Sequence, residues 1–359
     1  MIKIRKTLTC AALAAALCAP FATFAHEKVI LDSDMVDLFD DGVAMMMLAK
    51  AENVELLGVT TVFGNTWTET GTASAIRQLE GIDETDIPVY MGVNDPTNKN
   101  RFSDISKEKH LYGCGFDSHL GSMGYAKPES WQAEYKLRYK ADPVMKPQKG
   151  NASDFIVKTI KGNPGEVTLV VVGSAANLAE ALHKAPEIAP MVKRVVYMAG
   201  AFFCEGNVMP NAEFNVWIDP ETAKEVYRAP WTEQIFLPLD VCRKVRMGNK
   251  DFQNLEARIK TERFKQMWEN HYATPLFRSD PEYKNYIWDI LAAAVVIDPT
   301  VILEEEKLPI DVNDQYGLGY GQTLAFRGFG PVGTQNARIV YTIDRAKVWE
   351  MVEKVFDIL

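Results

Sequence analysis

Val29-Ile-Leu-Asp-Ser-Asp-Met-Val-Asp-Leu-Phe-Asp-Asp-Gly42 is the stretch on which the reading of this chain turns. Val29 to Leu31 is an apolar run suited to a buried strand, and Val43 to Ala49 has the composition of a helix. Between them stand Asp32, Asp34, Asp37, Asp40 and Asp41. Carboxylates held this close repel one another unless positive charge sits among them. An acidic loop between a strand end and a helix start lies where α/β proteins place their chemistry. A hard, oxygen-seeking cation, calcium or magnesium, is the simplest occupant.

Outward from this stretch, apolar β-branched runs alternate with helical patterns. Strands are expected at Lys28–Leu31, Val54–Val62, Pro88–Tyr90, Val167–Val172, Arg194–Met198, Ile235–Leu239 and Ala337–Thr342. Helices are expected at Asp40–Lys50, Thr68–Leu79, Asp154–Ile160, Leu178–Leu182, Glu221–Tyr227, Asp251–Trp268, Tyr283–Val296 and Arg345–Phe356. The alternation breaks between Lys99 and Lys149, where Gly113, Gly115, Gly121 and Gly124 crowd together, and a long loop region, with at most a short helix, is expected there. No linker or repeat divides the remainder. The fold class is α/β: a single large domain with a mainly parallel central sheet flanked by helices.

Residues 1–25 read as an export signal. Lys3, Arg5 and Lys6 lead into the apolar, alanine-rich Leu8–Ala22, and Thr23-Phe-Ala25 offers small residues at the cleavage positions. The domain is then 26–359, in the periplasm or secreted, without a membrane anchor. The whole chain of 359 residues carries a formal charge of −9, and without the signal 36 basic residues face 48 acidic ones. Such an excess of acid disfavours a nucleic-acid partner. Cys114, Cys204 and Cys242 are too few for a disulfide framework and show no metal-knuckle spacing. One bridge with a free thiol, or three free thiols, are both open.

Three chemistries suit the acidic block. A calcium-binding EF-hand loop needs glutamate at its twelfth position, but Val43 stands there counting from Asp32. A magnesium-dependent phosphatase of the Asp-x-Asp type suits Asp32-Ser-Asp34 at a strand end, with Ser174 as a later hydroxyl, but no acidic pair follows to complete its metal site. The third chemistry draws on more of the chain. Phe63-Gly-Asn65, Gly173-Ser-Ala-Ala-Asn-Leu178, Gly206-Asn-Val-Met-Pro-Asn-Ala-Glu-Phe-Asn215, Leu239-Asp-Val-Cys242 and Trp288-Asp289 follow the acidic block in order. Together these blocks resemble the inosine-uridine preferring nucleoside hydrolase family over residues 28 to 350.

That resemblance implies hydrolysis of the N-glycosidic bond of ribonucleosides, with calcium (Ca2+) as cofactor and a small-molecule nucleoside as substrate. It implies Asp34, Asp41, Asp289 and the backbone carbonyl of Ala176 as metal ligands, and Asp34 as the base that activates a calcium-bound water. Asp40, Asn65, Asn207, Glu213 and Asn215 would hold the ribose hydroxyls, with Trp288 against the base. On an extended segment Glu213 and Asn215 would face one side. A homodimer or homotetramer is implied as well.

The chain also departs from the family pattern. Trp288 stands where many relatives carry histidine, and an indole stacks on a base but does not donate a proton as an acid. Val36 replaces a usual glycine, and Leu38 replaces an acid. His110 and His119 lie in the glycine-rich region, within reach of the site. A nucleoside- or ribose-binding protein without turnover would keep the same sugar-binding residues.

Overall fold

The computed structural model describes residues 26–38, 40–112 and 119–359. The proposed signal and Cys114 lie outside them. Six strands come first in the chain: β1 (Glu27–Ser33), β2 (Val54–Thr61), β3 (Val89–Met91), β4 (Val167–Val171), β5 (Arg194–Tyr197) and β6 (Gln234–Phe236). A two-stranded ribbon, β7 (Arg246–Met247) with β8 (Asn285–Tyr286), stands apart. The chain then adds β9 (Ile302–Val312), β10 (Thr323–Ala325) and β11 (Gln335–Ile343). The main sheet runs β10-β9-β11-β6-β5-β4-β1-β2-β3. Every pair from β11 to β3 is parallel, while β9 is antiparallel to β11 and to β10.

β1 is central because both of its faces are apolar. Val29 and Leu31 join one buried cluster and Ile30 the other, as a parallel strand covered on both sides requires. Its helix, Asp41–Lys50, buries Met45, Met46 and Met47 together. A helix apolar all round needs cover on every side. It lies against the helices Trp288–Ile297 and Arg345–Phe356. The chain leaves β1 toward β2 and β3 on one side, then returns to β4 on the other. The β1/β4 boundary is therefore the switch point of the sheet, where a crevice forms at the carboxyl ends of the strands.

Three expectations need correction. The region Lys99–Lys149 holds more helix than expected, at Arg101–Tyr112 and Trp131–Tyr139. The second buries Trp131, Tyr135 and Tyr139, four residues apart on one helical face, and Ser130 caps it. Asp251–Trp268 is two helices, Asn249–Arg258 and Glu262–Asn270. Lys260 and Thr261 break it by donating their N–H groups to the Leu359 carbonyl at 2.8 and 3.0 Å. The expected helix from Tyr283 begins only at Trp288, after β8.

Candidate metal centre and sugar site

Asp34 follows the last residue of β1 and is fully buried. The backbone N–H of Asn65 donates to its Oδ2 at 2.5 Å, whereas its Oδ1 meets no donor among the described residues. Two glycines make room for it. A Cβ on Gly64 would stand 2.1 Å from Asp34 Oδ2, and one on Gly173 would stand 2.7 Å from the Asp34 nitrogen. Asp41 opens the following helix. Its Oδ1 accepts from Ser33 Oγ at 2.5 Å, and its Oδ2 is again without a donor among the described residues. Asp40 turns to the N-terminus of the helix Trp288–Ile297, where its Oδ2 accepts from the N–H groups of Trp288 at 3.1 Å and Asp289 at 3.3 Å. Asp289 is the second residue of that helix and is buried, the one acid in an apolar helical run that includes Ile290 and Leu291.

Oxygens of Asp40, Asp41 and Asp289 all lie within 4.8 Å of one another. Burial raises the pKa of each, and Asp41 is pushed up to about 7. Asp34 is raised well above the carboxylate range, first by burial and then by the charge of Asp41. No lysine or arginine pairs with these four acids among the described residues. Calcium binds oxygens at about 2.4 Å, so ligands on opposite sides of the ion stand about 5 Å apart. The spacing, the oxygen-only donors and the unpartnered Oδ atoms all fit that ion.

Asp32 stands beside this group without joining it. Its Oδ1 accepts from Thr60 Oγ1 at 2.5 Å and from Asn177 Nδ2 at 2.6 Å, and burial pushes its pKa up to about 7. Ala176, the neighbour of Asn177, opens the helix after β4 at the same end of the sheet. Asp37 faces away from the acids. It accepts from Ser74 Oγ, from Arg138 Nη2 at 2.9 Å and from Tyr139 OH at 2.6 Å, and so pins the helix Trp131–Tyr139 to the acidic loop. Leu38 takes a left-handed φ of +58°, and its N–H donates to Gln78 Oε1 at 2.8 Å.

The sugar-motif residues gather at the ends of β2, β4 and β5. Glu213 and Asn215 do not share an extended segment, because the chain becomes helical at Phe214–Trp217 and Glu213 is its N-cap. Both Glu213 oxygens accept backbone N–H groups, from Asn215 at 2.9 Å and from Gly200 at 3.0 Å. Burial pushes its pKa up to about 7. Asn215 Nδ2 donates to the carbonyls of Val172 and Met198, which ties β4 to β5. Asn207 Oδ1 accepts from the Phe214 N–H at 3.0 Å. Trp288 stacks on Tyr286 with centroids 5.3 Å apart and planes at 11°. Cys204 and Cys242 are free thiols, so no bridge joins them.

His119 reaches the site and His110 does not. His119 Nε2 lies 3.1 Å from Asn65 Oδ1, while His110 is exposed on its helix. Sequence reading passed over Gly64 and Gly173 as functional positions, although both lie inside motifs it quoted. Gly64→Ala is expected to push the Asp34 carboxylate aside. It should cost about 10²-fold in kcat/KM, since a displacement near 1 Å does so, and about 1–3 kcal/mol in stability from overpacking. Kinetics and thermal unfolding of the variant check both.

A buried hard-cation centre at the switch point of a parallel sheet defines a metal-dependent α/β enzyme. The family model described as inosine-uridine preferring nucleoside hydrolase matches residues 29–350. The chain belongs to the inosine-uridine preferring nucleoside hydrolase family. It is 28% identical to uridine nucleosidase 1 of Arabidopsis thaliana over 91% of this chain and 92% of that one. Among solved structures, the plant nucleoside hydrolase PpNRh1 superposes with a TM-score of 0.73 at 25% identity, covering 92% of this chain and 99% of that one. The purine-preferring ribonucleoside hydrolase from Gardnerella vaginalis gives 0.71, also at 25% identity, covering 92% and 100%. The protein is a calcium-dependent hydrolase of the N-glycosidic bond of ribonucleosides, and Asp40, Asp41 and Asp289 form its calcium site.

Proposed function

We propose that Asp34 is the general base of this hydrolysis and that uridine is among the substrates. One observation carries the role of Asp34. Its Oδ2 is fixed by the Asn65 N–H, while Oδ1 meets no donor among the described residues, which leaves one oxygen for a water proton. Asp34 and the Ala176 carbonyl would complete the calcium ligands begun by Asp40, Asp41 and Asp289. Bound calcium supplies the charge that keeps these acids ionised and eases the deprotonation of water.

The sugar must be gripped while it takes on oxocarbenium character. Asn65 and Asn207 each spend Oδ1 inside the protein, which leaves their Nδ2 groups to donate to ribose hydroxyls. Asn215 spends its Nδ2 and keeps Oδ1 as an acceptor. Asp40 keeps Oδ1 for a hydroxyl or the ion. Glu213 is fixed by one backbone donor at each oxygen, which leaves further lone pairs to accept from a ribose hydroxyl. Trp288, backed by Tyr286, offers the departing base a stacking face.

The Arabidopsis relative supports uridine, since it is named a uridine nucleosidase and aligns with 91% of this chain. A panel of purine and pyrimidine ribonucleosides, scored for reducing sugar, tests the reading. Release from uridine is expected. Release from purine nucleosides alone removes the base assignment, and binding of ribose without any release leaves a sugar-binding protein in its place.

Residues 1–25 support export to the periplasm or medium, and N-terminal sequencing of exported protein is expected to begin at His26. Among the described residues no helix is long and apolar enough to cross a membrane. Family membership supports a homodimer or homotetramer, which light scattering would read.

A further inference from the structure

We propose that His119 is a positioning residue, which fixes the Asn65 amide so that its NH2 group faces the ribose. The inference rests on the reading above that Asn65 grips a ribose hydroxyl. It goes beyond that reading by naming what sets the amide's orientation.

The geometry starts from the contact between the two side chains. His119 Nε2 stands 3.1 Å from Asn65 Oδ1. In this amide orientation the oxygen accepts, and the imidazole tautomer with its proton on Nε2 donates to it. With Oδ1 engaged, Nδ2 is the group Asn65 can present elsewhere. Without His119 the amide is free to turn over, and the sugar would meet an acceptor where it needs a donor.

His119 is itself held on several sides. Its ring packs against Phe214, with centroids 5.0 Å apart and planes at 52°. Phe214 lies between Glu213 and Asn215, and its N–H bonds Asn207. His119 therefore joins Asn65, at the end of β2, to the Asn207–Asn215 motif after β5.

The residues that follow lock the same place. Ser122 N–H donates to the Gly64 carbonyl at 2.7 Å. Gly121 has φ +55°, and a Cβ there would stand 2.3 Å from the Gly64 oxygen and 2.5 Å from the Phe214 ring. Gly64 in turn abuts Asp34, and the Asn65 N–H holds the Asp34 carboxylate. His119 to Ser122 thus forms a clamp on Gly64-Asn65, and through it on both sugar and base. Asn65 is reached by its side chain from His119 and by its backbone from Asp34.

The test is a double-mutant cycle with two substrates. His119→Phe keeps a ring against Phe214 and removes the donor, and His119→Gln keeps a donor. His119→Phe should lower kcat/KM about 10- to 100-fold, the range expected for one hydrogen bond in a buried site. The loss should be equal on uridine and on 4-nitrophenyl riboside, whose leaving group departs without a proton. His119→Gln should recover most of it, and His119→Phe should cost nothing further in the Asn65→Ala background. Thermal unfolding of each variant identifies any loss due to misfolding, and His119→Leu, which also lacks a donor, carries the same test if His119→Phe fails to fold.

Unchanged activity in His119→Phe overturns the proposal. So does a loss confined to uridine, which would make His119 a proton donor to the base, and so do additive losses in the cycle. If Asn65→Ala alone leaves both substrates untouched, the ribose reading of Asn65 falls and the proposal falls with it. That result is distinct from failure of His119 alone.

Discussion

Asp34→Asn is expected to lower kcat/KM for nucleoside hydrolysis by about 10²- to 10⁴-fold, the usual contribution of a general base. The same change should raise the unfolding temperature of the calcium-free protein. Asparagine keeps an oxygen for the Asn65 N–H, so the local backbone is retained. It removes a carboxylate whose pKa is raised by burial and by Asp41, so the ionised group is a liability in the folded chain without the ion. Activity and calcium-free stability should therefore move in opposite directions. Asp32→Asn gives the contrast. Asp32 is held by Thr60 and Asn177 as a support, so a loss nearer 10-fold is expected, the scale of one buried hydrogen bond. A larger loss at Asp32 than at Asp34, measured side by side, would reverse the assignment.

Calcium should stabilise the protein far more at about pH 8 than at about pH 5. Burial raises the pKa of Asp34, Asp40, Asp41 and Asp289, with Asp41 at about 7. The sign follows from proton counting. Between the ordinary carboxylate range and about pH 7 the calcium-free folded chain holds more protons than the unfolded chain. Raising the pH across that window therefore costs the calcium-free fold stability. Calcium binds the ionised acids and reverses the trend, because protons compete with it at low pH. Thermal unfolding with calcium and with chelator, repeated across the window, reads both curves. A calcium-induced shift of constant size would contradict burial of ionised acids as the origin of the effect.

Much of the centre was legible because its decisive residues are local. The strand, the acids and the helix lie within Val29–Ala49, and alternation of Val29, Ile30 and Leu31 across the sheet is a short-range pattern. What escaped depends on contacts distant in sequence. Asp37 gained no role from its neighbours, since its partners are Ser74, Arg138 and Tyr139. The break in the expected helix Asp251–Trp268 needs the carbonyl of Leu359. The helix Trp131–Tyr139 was visible in principle, as three aromatics four apart, but surrounding glycines and charges masked it. Glu213 shows a further limit. Its residue type suits a sugar, but the backbone donors that fix its carboxylate are brought near only by the turn at Phe214.

The most direct test is ribose release from uridine by protein stripped with chelator and then titrated with calcium. No release is expected in chelator, with full recovery as calcium fills one site per chain. Undiminished release in excess chelator, or no recovery with calcium in a correctly folded protein, would contradict a calcium-dependent hydrolysis built on Asp34, Asp40, Asp41 and Asp289.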